Sequence, residues 1–302
     1  MNDSVDRAAR KVVSHLRKKI AAKPQAKMFS DGELWKKNTL SISERSARNI
    51  SRLRSLVTPL SPLERAFFSR FEQQPFYATH FTGADRDREG VTTLYSRKNL
   101  IERGIAFPTG NTQDQDLKMA AHDDYVFFAL EVGSTPQKTS SRFGDVIYRF
   151  SLKQSRFEYA WLSLNDMVAP KQNNLEKYFR GFESSDYDKC DQLVNYYNTT
   201  DFIFSGPAMF VGVALSIVHC VRQLSVTAQR KLLAANTIRE MNNVLNGLFR
   251  PELKVARFVV TGDFAKLVNA GGTSDNDDSG SVGYDLSDYW DDSDDASVYS
   301  QD

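Results

Sequence analysis

Four short stretches of this 302-residue chain carry residue types that together can grip and cleave a dinucleotide. In chain order they are Tyr77-Ala78-Thr79-His80-Phe81-Thr82, Val126-Phe127-Phe128-Ala129-Leu130, Ser141-Arg142-Phe143-Gly144 and Arg250-Pro251-Glu252-Leu253-Lys254. An imidazole such as His80, with Phe81 and Thr82 beside it, can hydrogen-bond a ribose hydroxyl. Phe127 and Phe128 are neighbours on a strand, so one enters the core while the other lines a cleft, and Phe128 is taken as the ligand-facing one. Arg142 can pair with a pyrophosphate, Phe143 can stack on nicotinamide, and Gly144 lets the backbone come close. Glu252, at a strand entrance, can polarise a ribose hydroxyl or deprotonate an acceptor guanidinium. The chemistry these residues would serve is transfer of ADP-ribose from NAD, in which an oxocarbenium-like ribose is braced as nicotinamide leaves.

Each stretch alone has a plainer reading. A single histidine at a strand end is usually structural, paired phenylalanines usually pack a core, and a lone glutamate usually sits on the surface or pairs with an arginine. It is the set, in this order, that points to chemistry.

These residues need strands to hold them and helices to back the strands. Phe76 to Phe81, Tyr125 to Glu131, Asp145 to Leu152 and Val255 to Thr261 read as strands, the last as the final one. Helices are expected over Ser41 to Leu56, Ser61 to Phe71 with a Ser-Pro-Leu-Glu start, and Ser96 to Arg103 with Gly104 as its terminator. Phe202 to Leu224 reads as one helix buried on nearly all sides, and Ala228 to Leu248 as one amphipathic helix. Val5 to Ile20 reads as a basic amphipathic helix able to meet an acidic surface or groove, or to pack on its own domain.

Composition sets bounds. Hydrophobic residues make up 41% of the chain, enough for one sizeable core. Met1 to Arg70 carries 16 Lys and Arg against 6 Asp and Glu, while Thr273 to Asp302 carries 10 Asp and no base. A nucleic-acid-binding reading rests on that basic start alone and is not the one adopted. The tail is expected to be disordered, because Gly, Ser and Asp bury too little surface to offset ordering entropy. Two cysteines give no disulfide framework, and with the four histidines no metal-ligand spacing, so no metal is expected. Neither a Sec signal peptide nor a membrane span is expected.

The four stretches resemble the OspC/CopC family of bacterial type III secreted effectors, which are arginine ADP-riboxanases of the ADP-ribosyltransferase superfamily. The likeness is densest in Val126 to Gly133 and Ser140-Ser141-Arg142-Phe143-Gly144, with support from His80-Phe81-Thr82, Phe204-Ser205-Gly206 and Phe249-Arg250-Pro251-Glu252. It implies an α+β fold with an ADP-ribosyltransferase-like split, mixed β-sheet core surrounded by helices. The likeness covers roughly residues 60 to 265, and with the composition it gives an expected basic helical region over 1–60, a catalytic domain over 61–268 and an acidic tail over 269–302. The implied activity is NAD-dependent modification of an arginine in a host protein, closing a ring with loss of ammonia, after delivery into the host cytoplasm and with host calmodulin as activator. Plain mono-ADP-ribosylation and a non-catalytic binding module are the alternatives.

The resemblance assigns the catalytic glutamate to Glu252, and NAD contacts to His80, Arg142, Phe143 and Gly144. It also implies an aspartate that promotes ring closure before the Phe-Phe strand, for which Asp114, Asp116, Asp123 and Asp124 compete, with Asp116 as the working candidate. Two features depart from the family pattern. Lys254 stands where histidine is usual, and a fixed positive charge there favours the ionised carboxylate. The family's C-terminal ankyrin repeats are replaced by acidic residues, so substrates held by such repeats are not expected.

Overall fold

In a computed structural model, the described residues are 11, 12, 15, 40–107, 122–136, 141, 143–154, 157–165, 174–197 and 202–268. Of the expected first helix, Lys11, Val12 and His15 are helical, and the rest lies outside the described residues, as does the acidic tail.

Local signals account for most of the elements. Helix α1 (Ile42–Val57) and helix α2 (Pro62–Glu72) each begin with a serine that accepts from the backbone three residues on, while a glutamate there returns the bond: Ser41 with Glu44 and Ser61 with Glu64. Strand β1 (Phe76–Thr82), the short β2 (Asp87–Arg88), β3 (Val91–Tyr95) and helix α3 (Arg97–Glu102) follow. Gly104, at φ +62°, ends α3 as expected. After a one-turn helix (His122–Asp124) come β4 (Tyr125–Val132), β5 (Val146–Ser151), β6 (Trp161–Ser163), α4 (Leu175–Tyr178) and α5 (Ser184–Tyr197).

The remaining elements correct the sequence reading. The expected helix over Phe202 to Leu224 begins as a strand, β7 (Ile203–Ser205), and becomes helix α6 only at Met209–Val221. Between them Gly206 takes φ +65° and Pro207 opens a single tight turn, which is where the two conformations change over. The expected helix over Ala228 to Leu248 is two, α7 (Val226–Leu233) and α8 (Ile238–Leu248). Thr237 caps the second in a box with Glu240.

The expected last strand is also two, β8 (Glu252–Ala256) and β9 (Phe258–Thr261), and β10 (Ala265–Val268) follows them. Arg257 sits between β8 and β9 at φ +65°, its N–H donating to Asp124 and its carbonyl accepting from Ser96. At that residue the chain leaves one sheet for another.

Seven strands form a sheet in the order β10-β5-β1-β4-β8-β6-β7, and three form a second in the order β2-β3-β9. The expected mixed sheet is not what forms: every described strand pair is antiparallel. One face of the large sheet, carrying Phe76, Ala78, Phe128, Leu130, Phe150, Leu162, Phe204 and Leu253, joins α1, α2, α6 and α8 in the main core. Phe76 stacks on Phe210 with ring centres 4.0 Å apart. Helix α6 approaches β7 so closely that a Cβ on Gly212 would lie 2.2 Å from the Phe204 ring, so only glycine fits. Helix α1 contributes Ile50, Leu53 and Val57 to this core, so the packed unit takes in residues the sequence assigned to the N-terminal region. Truncating a residue as buried as Leu53 costs about 2–5 kcal/mol.

Candidate functional site

The opposite face of the large sheet carries the polar residues. Strand pairing places Arg149, Thr79, Ala129, Glu252 and Ser163 in one row across β5, β1, β4, β8 and β6, with neighbours about 4.8 Å apart between strands. Side chains directly opposite in an antiparallel ladder share a face, so these five side chains point the same way. Along the row, Thr79 donates to Glu131, Arg149 pairs with Glu131 and donates to the Gly133 carbonyl, and the guanidinium lies over the Tyr77 ring. Glu131 and Arg149 are both buried, so each charge depends on the other.

Glu252 is the first residue of β8 and keeps 21% of its side chain exposed. Two residues on, and therefore on the same face, Lys254 is fully buried with its ammonium 2.7 Å from the Glu252 carboxylate. The ammonium also donates to the Ser163 hydroxyl at 2.7 Å and lies 4.7 Å from the centre of the Trp161 ring and 5.5 Å from that of Phe127. A buried cation held by a carboxylate, a hydroxyl and two aromatic faces is fully compensated. Phe127 is half-buried beside it, whereas Phe128 is inside the core, edge-on to Phe150 and Phe157. The opposite facing of the pair is as expected, but it is Phe127 that shares the face of Glu252.

His80 marks where the sheet splits. The β1–β4 ladder stops at Thr79 opposite Ala129; beyond it β1 stays with β5 and β4 stays with β8. The Phe127 carbonyl, which the next rung would have used, is met instead by His80 Nδ1 at 2.8 Å. A carbonyl only accepts, so Nδ1 carries the proton and Nε2 is left as an acceptor. Burial, with a smaller contribution from the charge on Arg86, holds the imidazole below its usual pKa, although the Phe127 bond opposes the shift. The ring is therefore neutral near pH 7. His80 sits on the Phe128 side, its ring centre 5.5 Å from that of Phe128, while Phe81 returns to the face of Thr79 and Glu252.

The Ser141-to-Gly144 turn closes over the end of β1. Gly144 N–H donates to the Ser141 carbonyl, and a Cβ on Gly144 would lie 2.2 Å from the Gly83 nitrogen. With φ at +127° as well, this position requires glycine. The turn thus brings Phe143 and Gly144 to Thr82 and Gly83, joining two of the stretches read from the sequence. Arg142, Asp114 and Asp116 lie outside the described residues. Asp124 is tied to Arg257 and Ser96, and stands five strand residues, about 16 Å, from Ala129 opposite Glu252.

Sequence reasoning missed Thr79, Ser163 and Trp161, whose place on the Glu252 face follows only from strand register. Lys254 was legible through its spacing of two from Glu252. Among the described residues no cluster of His, Cys, Asp and Glu is suited to a metal, and no helix is long and apolar enough to cross a membrane.

No protein-family model matches the chain. It is similar to the arginine ADP-riboxanase CopC of Chromobacterium violaceum, 22% identical over 296 residues that cover 88% of this chain and 61% of that protein. It is similar also to the arginine ADP-riboxanases OspC1 and OspC3 of Shigella flexneri. OspC1 is 23% identical over 85% of this chain and 60% of its own length, and OspC3 is 24% identical over 87% and 60%. The chain is a relative of the OspC/CopC family. It spans about three fifths of the length of the OspC/CopC proteins it matches.

Proposed function

We propose that this chain is an NAD-dependent transferase acting on an arginine of a host protein, most specifically an arginine ADP-riboxanase, with an ADP-ribosyltransferase-like core. The observation that carries the reading is Glu252: a part-exposed carboxylate at a strand entrance, fixed by a buried ammonium. The names of the relatives, the two-sheet arrangement and the split beside His80 support it.

The residues suit a dinucleotide. His80 offers a neutral acceptor nitrogen for a ribose hydroxyl, the tight Gly144–Gly83 approach leaves backbone rather than side chains at the rim, and Phe127 and Phe81 supply part-exposed aromatic faces. When bound, NAD supplies a glycosidic bond whose cleavage releases nicotinamide and an electrophilic ribose carbon. Glu252 would accept a hydrogen bond from the ribose 2′-hydroxyl or take a proton from the acceptor guanidinium. Lys254 keeps the charge of Glu252 compensated. In this reading Arg142 meets the pyrophosphate, Phe143 packs on nicotinamide, and Asp116 assists ring closure. The enzyme acts after secretion into the host cytoplasm, and host calmodulin is a candidate activator.

The test is nicotinamide release from NAD by the purified chain in a eukaryotic lysate with calmodulin. Release that disappears in Glu252→Gln is the expected result. Equal release by that variant would remove Glu252 from the mechanism, and no release from the unaltered protein would favour a non-catalytic binding role.

A further inference from the structure

We infer that Lys254 is a positioning residue for both Glu252 and Phe127, with Ser163 holding it in place. This rests on Glu252 being the transferring carboxylate, and goes further by assigning the group that sets its geometry. Three observations converge on the ammonium. It lies 2.7 Å from one Glu252 oxygen and 2.7 Å from the Ser163 hydroxyl, so the carboxylate is tied through the cation to β6. It is completely buried, so water cannot replace either partner. And it sits between the rings of Trp161 and Phe127, so the same charge that fixes the carboxylate also fixes the half-buried aromatic wall on that face. Phe127, Lys254 and Trp161 lie in one row across β4, β8 and β6, and Glu252 and Ser163 in the next, which makes the five side chains a single packed patch. The ring of Tyr125 also meets Trp161 in this patch, and burial keeps its phenol neutral.

A residue that merely stabilises the sheet would change how much folded protein there is; a positioning residue changes the rate of the folded protein. In Lys254→Met, whose side chain is similar in volume, kcat should fall roughly 100-fold, as expected for a small misplacement of a reacting group, with KM for NAD little changed. Ser163→Ala, which keeps the charge but loses its tether, should lose about tenfold in kcat. Unchanged kcat in Lys254→Met, with folding intact, would overturn the inference while leaving the transferase reading standing.

A separate measurement needs no turnover. Thermal unfolding of the unaltered full chain, Glu252→Gln, Lys254→Met and the double variant forms a cycle. Non-additive shifts would support a coupled pair, and additive shifts would overturn it even if no NAD is consumed by any form.

Discussion

The side chains of His80 and Glu252 lie on opposite faces of the seven-stranded sheet. Thr79 pairs with Ala129, Ala129 pairs with Glu252, and His80 is the next residue along β1, so its ring turns to Phe128 instead. A ligand touching both must do so where β1 and β4 part, beside the Phe127 carbonyl. The two residues should therefore fail differently. His80→Ala is expected to raise KM for NAD about tenfold or more through loss of a ribose contact, with a smaller effect on kcat. Glu252→Gln is expected to lower kcat with KM nearly unchanged. Steady-state kinetics on both variants checks this, and the same pattern of loss in each would contradict the separation.

The choice of substitution at Glu252 matters because its partner is fully buried. Glu252→Ala strands the Lys254 ammonium without its carboxylate, whereas the amide of Glu252→Gln still offers an oxygen. Breaking a fully buried pair costs about 3–5 kcal/mol; with Glu252 one-fifth exposed, the Ala variant should lose about 1–3 kcal/mol and the Gln variant less. Urea unfolding of the two variants side by side measures the difference.

Much of the fold was legible because it is written locally. The Ser-Pro-Leu-Glu start at Ser61, the terminator Gly104, and the strand-type runs Phe76 to Phe81 and Tyr125 to Glu131 each predict the element that forms. The errors came from long-range competition. Ile203 to Ser205 has no strand signal that outweighs the apolar run after it, and it becomes a strand because β6 is there to pair with. Arg257 in a left-handed conformation is stabilised by Asp124, Ser96 and Asn99, all distant in sequence. The site was legible as residue types but not as faces: whether Phe127 or Phe128 accompanies Glu252 depends on the β4–β8 register, which no local pattern encodes.

Stability should fall on mild acidification. Burial, first, holds both His80 and His219 below their usual pKa of 6.5, with nearby arginines adding to the effect. Their neutral forms are favoured by folding, so the contribution is fully present above about pH 6.5 and is lost as pH falls through the lower folded values. The midpoint of thermal unfolding should therefore drop below pH 6.5, and His80→Gln should drop less. Equal slopes in the two proteins would contradict this account of His80.

Gly144→Ala should be costly although it adds one methyl group. Its Cβ would meet Gly83 and Thr82 backbone within 2.4 Å, and φ at +127° strains any side chain. Overpacking and strain together predict a loss of about 1–3 kcal/mol or a displaced turn. Differential scanning calorimetry of the variant measures the loss, and an unchanged midpoint would show that the turn does not pack on β1.

The buried Arg149–Glu131 pair gives a further test of the polar face. Arg149→Met alone should destabilise by about 3–5 kcal/mol, because it removes the guanidinium that pairs with the buried Glu131 carboxylate. The double change Arg149→Met with Glu131→Leu should recover much of that loss, as read from denaturant midpoints.

The measurement that bears most directly on the account is peptide mass spectrometry of a eukaryotic lysate incubated with this protein, NAD and calmodulin, run beside Glu252→Gln. The account predicts an arginine carrying ADP-ribose less the mass of ammonia, present with the unaltered protein and absent with the variant. An adduct at the full ADP-ribose mass would replace riboxanation by simple transfer. No arginine adduct, with NAD intact, would contradict the proposed activity.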